Sequence, residues 1–249
     1  MTVYTVAVIS AGLSEPSSTK LLADRLAQAV RRDGARRGVR VEIVDVPLRG
    51  LARPIADTFV TGFAPPVLQS ALESVYAADA LIAVTPVFSA SYSGLFKSFF
   101  DAADPQGFVG KPVLLAATGG SARHSLVLDY ALRPLFAYLK AEPVATGVFA
   151  ATADFGSDSA SGSLDRRIEQ AGGQLLAAVA ATAPSVTPPP PARAHGAAPD
   201  LEDEIADDAV QRAARVHLGP EPSRVEARRR RDADPFDNLI PFERLLHRG

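Results

Sequence analysis

Residues 3–19 read VYTVAVISAGLSEPSST, and this stretch decides the fold class. Its first part, Val3–Ile9, is apolar and rich in β-branched side chains, which is typical of a strand buried on both faces. A loop follows, and the hydroxyls of Ser17–Thr19 are typical N-caps of a helix. A strand, a hydroxyl-rich loop and a helix in this order indicate the first unit of an α/β fold.

The same alternation continues to about residue 183. The further predicted strands are Val39–Val46, Ala80–Val84, Val113–Ala117 and Val144–Ala150, and the further predicted helices are Pro65–Ala78, Ser93–Ala103, Ser125–Lys140 and Leu164–Ala183. Residues 48–63 have no clear period and are predicted to be a long loop. Strands that alternate with such helices predict a parallel sheet covered on both faces. We therefore expect a flavodoxin-like three-layer sandwich whose five parallel strands lie in the order 2-1-3-4-5.

The pattern changes after residue 183. Residues 184–199 are rich in proline and alanine and are predicted to be a stiff linker. Residues 200–249 carry an acidic run and then a basic run, so we expect a low-order charged tail with short helical segments. The chain is thus predicted to consist of a flavodoxin-like domain, residues 1–183, and a largely disordered C-terminal extension.

The composition excludes several classes of function. The 249 residues include no cysteine, which excludes a disulfide scaffold, a cysteine nucleophile and an iron–sulfur cluster. The four histidines do not lie at metal-ligand spacing, so no metal site is expected. The net charge of −2 gives no basic excess for nucleic acid, and no apolar run is long enough to span a membrane. No basic segment precedes the first strand, so we expect no signal peptide and a cytoplasmic location.

Ligands of open parallel sheets bind outside the carboxyl ends of the strands, near the point where the strand order reverses. The loops after strands 1, 3 and 4 are therefore candidates for a binding site. The first of them, residues 10–19, carries five hydroxyl side chains, which together with the N–H groups of a helix N-terminus can bind phosphate. It matches neither G-x-x-x-x-G-K-[ST] nor G-x-G-x-x-G, and a serine-rich helix cap is the alternative.

The other two loops allow the backbone to approach a flat ligand. Residues 85–94, TPVFSASYSG, combine a proline with small residues and two aromatic side chains. Residues 118–124, TGGSARH, place two glycines directly after a buried strand. Main-chain groups in such a slot can hydrogen-bond the polar edge of a ring. The alternatives are an ordinary strand-to-helix turn for the second loop and a helix-capping role for His124.

Taken together, three segments resemble the NAD(P)H-dependent FMN reductases of the flavodoxin-like fold. They are residues 10–19, TPVFSASYSGLFKSFFD at 85–101 and KPVLLAATGGSARHSLVLDYALRPLF at 111–136. The resemblance covers about residues 1–180 and is greatest to the reductases that supply reduced flavin to two-component, luciferase-like monooxygenases. It implies an NAD(P)H:FMN oxidoreductase that uses FMN together with NADPH or NADH.

The resemblance also implies a flavin site. The first loop would hold the FMN phosphate, the second would line the isoalloxazine ring, and the third would close the far side and edge of that ring. The residues so implied are Ser10, Ser17, Ser18 and Thr19, then Pro86, Val87, Phe88 and Ser89, and then Thr118, Gly119, Gly120, Ser121 and His124. Related sequences often carry G-S-x-R in the first loop, whereas this chain has Glu15 where an arginine would help to bind phosphate. Hydride passes between the two cofactors, so no catalytic side chain is assigned, and His124 is the one candidate for such a role.

The resemblance further implies partners. Besides flavin and nicotinamide nucleotide, these are a flavin-dependent monooxygenase and other copies of the chain in a homodimer or homotetramer. Residues 95–103, with Phe96, Phe99 and Phe100, are the surface that we expect the copies to share, unless these rings cover the sheet. Residues 236–246 either form a short amphipathic helix that docks onto a partner or belong to a solvated tail. The alternative functions are a flavin-retaining quinone or azo-compound reductase and a non-enzymatic flavodoxin-like binding module.

Overall fold

A parallel β-sheet forms the centre of the computed structural model, which describes residues 2–155 and 158–182. The long strands are β1 (Val3–Ser10), β2 (Arg40–Pro47), β3 (Ala80–Phe88) and β5 (Pro112–Gly119). The short strands are β4 (Ser91–Tyr92), β6 (Glu142–Pro143) and β7 (Val148–Ala151). The strand order is β2-β1-β3-β5-β6, while β7 also pairs with β5 and β4 pairs antiparallel with β3.

Helices cover both faces of this sheet. They are α1 (Ser18–Arg36), α2 (Ala52–Thr61), α3 (Pro66–Ala77), α4 (Gly94–Asp101), α5 (Arg133–Tyr138) and α6 (Asp158–Thr182). Helices α1 and α6 pack on the face that carries Val8 and Ile82, and α3, α4 and α5 pack on the face that carries Ile9 and Leu81. Successive strand residues point to opposite faces, so both faces need apolar side chains. The predicted flavodoxin-like sandwich and its strand order are confirmed.

The fifth predicted strand, Val144–Ala150, is not continuous. It is replaced by β6 and β7, which both pair with β5. Val144 still donates its N–H to Val113, but the N–H of Thr146 turns away from the sheet to Gln174. The N–H groups of Glu142 and Val144 both donate to β5 or to the residue directly before it, so Pro143 between them costs this edge strand no hydrogen bond to its neighbour. Together with the two-residue β4, this division gives seven strands where five were expected.

The predicted long loop at residues 48–63 is wrong, because most of it is helical. A 3₁₀-helix, Leu48–Leu51, leads directly into α2, and Gly62 follows α2 with a φ of 77°. Leu48, Leu51 and Ile55 are buried. An apolar stripe of so few residues carries too little periodicity to be detected, and the helix depends on packing for its stability.

The predicted helix Ser125–Lys140 is α-helical only in its second half. Leu128–Leu132 form a π-helical turn, and α5 begins at Arg133. Pro134 lacks the N–H that a continuous α-helix would need at this point. The interruption of the backbone hydrogen bonds therefore coincides with the proline.

The rings of α4 point into the protein rather than toward a neighbouring copy. Phe96, Phe99 and Phe100 are buried, and the ring centroids of Phe96 and Phe100 lie 4.9 Å apart. The expectation that these rings form a surface shared between copies is therefore wrong, and the alternative that they cover the sheet is confirmed.

The predicted linker, residues 184–199, and the predicted tail, residues 200–249, lie outside the described residues. The division of the chain into domains thus stays a prediction. Within the part of the chain that is described, no helix combines the length and the apolar character needed to cross a membrane.

A buried pair of hydroxyls connects the start of α1 with the end of β5. Thr19 Oγ1 and Thr118 Oγ1 lie 2.8 Å apart, so one hydroxyl donates to the other. Both side chains are buried. A hydroxyl that lost its partner here would be poorly solvated, which costs free energy. This hydrogen bond therefore holds together two loops that are distant in sequence.

We expect Thr118→Val to lower the free energy of unfolding by about 1–3 kcal/mol, because it leaves Thr19 Oγ1 without its partner at nearly constant side-chain shape. Denaturant unfolding of the variant and the wild type measures this change. The control is the double variant T19V/T118V, whose loss should be smaller than the sum of the two single losses. Losses that simply add would show that the two hydroxyls do not stabilise each other.

The hairpin between β3 and β4 is strained. Ser89 and Ala90 have φ values of 49° and 66°, in the left-handed region that side chains of L-residues disfavour. A two-residue hairpin turn often requires this conformation at both positions. The turn places Phe88 opposite Ser91 in the ladder and so fixes the end of β3.

We expect Ala90→Gly to raise the free energy of unfolding by about 1 kcal/mol, because glycine adopts a positive φ without a steric penalty. Thermal unfolding of the variant measures the effect. Ala102→Gly, at a φ of −82°, is the matched control and should give no stabilisation. A variant A90G no more stable than the wild type would contradict the assignment of strain to this turn.

Candidate functional site

The loops after β1, β3 and β5 meet at the carboxyl edge of the sheet, where they line a cavity of about 340 Å³. One further residue of its lining comes from the segment that follows β7. The lining residues are Leu13, Ser14, Ser17, Ser18, Thr19, Pro86, Val87, Phe88, Thr118, Gly119, Gly120 and Thr152. The three loops that the sequence singles out therefore form one site.

The first loop brings the N-terminus of a helix to the cavity. Ser17 is the N-cap of α1, and its Oγ accepts the backbone N–H of Lys20 over 3.2 Å. The N–H groups of Ser18 and Thr19 lie in the first turn, where an α-helix provides no acceptor of its own. These N–H groups and the helix dipole together favour the binding of an anion.

Gly12 allows the first loop to pass close to this cap. A Cβ at position 12 would collide with Ser17 Oγ and would lie 3.2 Å from the Cβ of Thr19. A side chain at this position would therefore displace either the loop or the cap. The geometry of this helix N-terminus therefore depends on the absence of a side chain at Gly12.

The second loop forms one wall of the cavity. Thr85 Oγ1 accepts the backbone N–H of Ser93 over 3.0 Å, which ties the start of α4 to the end of β3. Pro86 and Val87 are half-buried, whereas Phe88 exposes 48% of its surface. This wall therefore offers main-chain groups and one exposed ring to a ligand.

The third loop closes the cavity with main chain. A Cβ at Gly119 would lie 2.9 Å from Cζ of Phe149, so a larger residue would force that ring to move. Gly120 is exposed and has open space around it. Without side chains in the way, the backbone of both glycines can approach a ligand closely.

None of the described residues that line the cavity carries a charged side chain. Lys20, the first cation after the loop, forms ion pairs with Asp24 and Asp45, the second at 3.2 Å. Burial lowers the pKa of Lys20, but its hydrogen bonds to the two carboxylates outweigh burial, and its pKa is raised above the usual value. Its charge is thus balanced by its own partners. The cavity suits an anion bound by N–H groups next to a flat, uncharged ring.

Nine of the predicted site residues line this cavity. They are Ser17, Ser18, Thr19, Pro86, Val87, Phe88, Thr118, Gly119 and Gly120. Four others do not: Ser10 is buried at the end of β1 and lines a neighbouring cavity, and Ser89 is exposed in the hairpin turn. Ser121 and His124 follow Gly120 in a segment that turns into a short 3₁₀-helix, where His124 is exposed. Their roles in binding stay predictions.

Two lining residues, Leu13 and Thr152, are absent from the predicted set, and Ser14 is counted there only among the loop hydroxyls. Leu13 and Ser14 lie in the middle of the first loop, where sequence gives no indication of which side chains face inward. Thr152 directly follows β7. Its position after a strand of the sheet is a signal that could have identified it.

The sequence is similar to a known protein family and to several of the proteins named for its activity. Residues 4–156 match the family described as NADPH-dependent FMN reductase. The chain is 38% identical over 152 residues to FMN reductase (NADPH) of Pseudomonas aeruginosa, a match that covers 61% of this chain and 79% of that protein. It is also 38% identical over 150 residues to NADH-dependent FMN reductase SfnF of Pseudomonas fluorescens, covering 60% of this chain and 78% of that protein.

Two solved structures of oxidoreductases are also similar to this chain. An oxidoreductase from Corynebacterium diphtheriae superposes with a TM-score of 0.70 at 44% identity, covering 73% of this chain and 99% of that one. The apo form of NADH:FMN oxidoreductase (EMOB) superposes with a TM-score of 0.58 at 29% identity, covering 68% of this chain and 88% of that one. The family match spans more than half of the sequence and includes the loops after β1, β3 and β5, and the chain therefore belongs to the NADPH-dependent FMN reductase family.

Proposed function

We propose that this protein catalyses the reduction of FMN by NADPH or NADH. The proposal rests on a single cavity, in which a hydroxyl-rich helix N-terminus lies next to a slot that is lined by main chain. The first part suits the phosphate of FMN and the second suits its ring. The family supports this activity, and its members include relatives named for NADPH and for NADH.

The helix end binds the phosphate. The backbone N–H groups of Ser18 and Thr19 would donate to the phosphate oxygens, and the hydroxyls of Ser14 and Ser17 would donate from the loop. The partial positive charge at the N-terminus of α1 adds to these hydrogen bonds. Thr19 is held by its hydrogen bond to Thr118, so the helix end is positioned before the ligand arrives.

The loops after β3 and β5 position the ring. FMN, when bound, supplies the redox chemistry, because its ring accepts the hydride that the nicotinamide donates. Pro86–Phe88 line one side of the slot, and the N–H groups of Gly119 and Gly120 would donate hydrogen bonds to the polar edge of the ring and stabilise negative charge there. Since the described lining contains no titratable side chain, the chain contributes binding and orientation rather than proton transfer.

We infer that the reduced flavin leaves the protein and is passed to a partner monooxygenase. Phe88 is the one aromatic side chain among the described lining residues, so few rings are available to stack on the flavin. A site of this kind favours exchange of the flavin over permanent retention. Assembly of the chain into a homodimer or homotetramer remains part of the proposal.

Anaerobic mixing of the protein with FMN and either nicotinamide nucleotide tests this function. We expect the visible absorbance of the flavin to disappear, and flavin to pass through a small-pore filter afterwards. Retention of the flavin on the protein would indicate the alternative, a quinone or azo-compound reductase. An absorbance that persists with both NADPH and NADH would contradict the proposed activity.

We expect Gly12→Ala to raise the dissociation constant of FMN at least about tenfold, because the new methyl group collides with Ser17 Oγ and displaces the phosphate-binding loop. Quenching of flavin fluorescence on titration measures the constant. Gly94→Ala is the matched control, since a Cβ at position 94 meets open space. Equal affinity of G12A and wild type for FMN would exclude the first loop from the site.

A further inference from the structure

A second cavity lies on the other side of the first loop, next to the end of β2. Its volume is about 690 Å³. Ser14 and Ser17 line both this cavity and the one described above, so the loop that we assign to the phosphate forms the boundary between them. Unlike the first cavity, this one has charged side chains in its wall, among them Arg49.

Arg49 is carried by a well-anchored segment. It belongs to the 3₁₀-helix Leu48–Leu51, in which Leu48 and Leu51 are buried in the core. The backbone at position 49 is therefore fixed, while the long side chain is about half exposed and can move. Its Nη1 lies 2.5 Å from Oε1 of Glu15, in the first loop. The guanidinium is thus held directly beside the loop that carries Ser14 and Ser17.

The ion pair between Glu15 and Arg49 is easily exchanged. Glu15 exposes 81% of its side chain, and exposed ion pairs contribute little to stability. Among the described residues, Glu15 is the one carboxylate paired with Arg49, whereas Lys20 in the same cavity is paired with both Asp24 and Asp45. Arg49 is therefore the cation in this wall that can change its partner at the lower cost.

We propose that Arg49 binds the phosphate of FMN and that Glu15 holds the guanidinium over the first loop until the phosphate replaces the carboxylate. This inference rests on the proposed function. A phosphate dianion at a helix N-terminus gains from a full positive charge, and the first cavity has none in its described lining. A guanidinium can donate two parallel hydrogen bonds to a phosphate, whereas Arg49 contacts one carboxylate oxygen of Glu15. The phosphate is therefore the stronger partner for Arg49 and can displace Glu15.

The same arrangement gives a role to Glu15, an acidic residue in a loop that binds an anion. With Arg49 beside it, the carboxylate is neutralised rather than left to repel the phosphate. When the phosphate binds, the carboxylate is released to solvent, where its exposure keeps its cost low. Glu15 is in this view a positioning residue, and the specificity for a phosphorylated flavin comes from Arg49.

Flavin binding tests the proposal, with riboflavin as the probe that lacks the phosphate. We expect Arg49→Ala to raise the dissociation constant of FMN about tenfold or more, as for loss of a charge-assisted hydrogen bond, and to leave that of riboflavin unchanged. Fluorescence titration of the full chain gives both constants. Arg53→Ala is the matched control, because it removes the same charge from an exposed position in the first turn of α2 and should change neither constant.

Glu15→Gln adds a second readout. Because it removes the carboxylate that competes for Arg49, we expect it to tighten FMN binding several-fold and to leave riboflavin binding unchanged. If E15Q instead weakened the binding of both flavins equally, Glu15 would have only a structural role.

The proposal is overturned if R49A weakens FMN and riboflavin equally, or if R49A and R53A behave alike. It is also overturned if R49A raises the KM for NADPH but not for FMN, since the arginine would then bind the nicotinamide nucleotide. A wild-type protein that binds neither flavin would instead refute the proposed function itself, so the two failures are distinguishable.

Discussion

The site depends on the register of three parallel strands. Ser10 of β1 lies beside Val84 of β3, and Pro86 of β3 lies beside Thr118 of β5, so all three strands end at the same edge. The hydrogen bond between the buried hydroxyls of Thr19 and Thr118 also holds the first of the following loops against the third. A cavity formed by segments distant in sequence is the direct consequence of this register.

The strands, and with them the location of the site, could be predicted because buried parallel strands are apolar throughout and the loops after them are rich in hydroxyls and glycine. Helix α2 and the π-helical turn at Leu128–Leu132 could not, since they depend on packing and on Pro134 rather than on periodicity. The inward direction of Leu13 is also a three-dimensional property, whereas the position of Thr152 directly after β7 could have identified it. Likewise, the pairing of Glu15 with Arg49 joins two segments that share no local pattern.

The charged side chains lie in one part of the site and are absent from the described lining of the other, which suggests a separate role for each part. The cavity that we assign to the ring is lined by uncharged residues and main chain, whereas cations lie on the other side of the first loop. An uncharged slot suits a flat ring and a nicotinamide, and in our proposal the charge of Arg49 recognises the phosphate. Hydride transfer needs orientation more than side-chain chemistry, which agrees with a lining that has no titratable group.

A crystal structure of the complex with FMN would show whether one cavity binds both the phosphate and the ring of FMN. We expect the phosphate within hydrogen-bond distance of the N–H groups of Ser18 and Thr19, and the ring between Pro86–Phe88 and Gly119-Gly120. Flavin density at another surface, with the first loop and the N-terminus of α1 free of phosphate, would contradict this expectation.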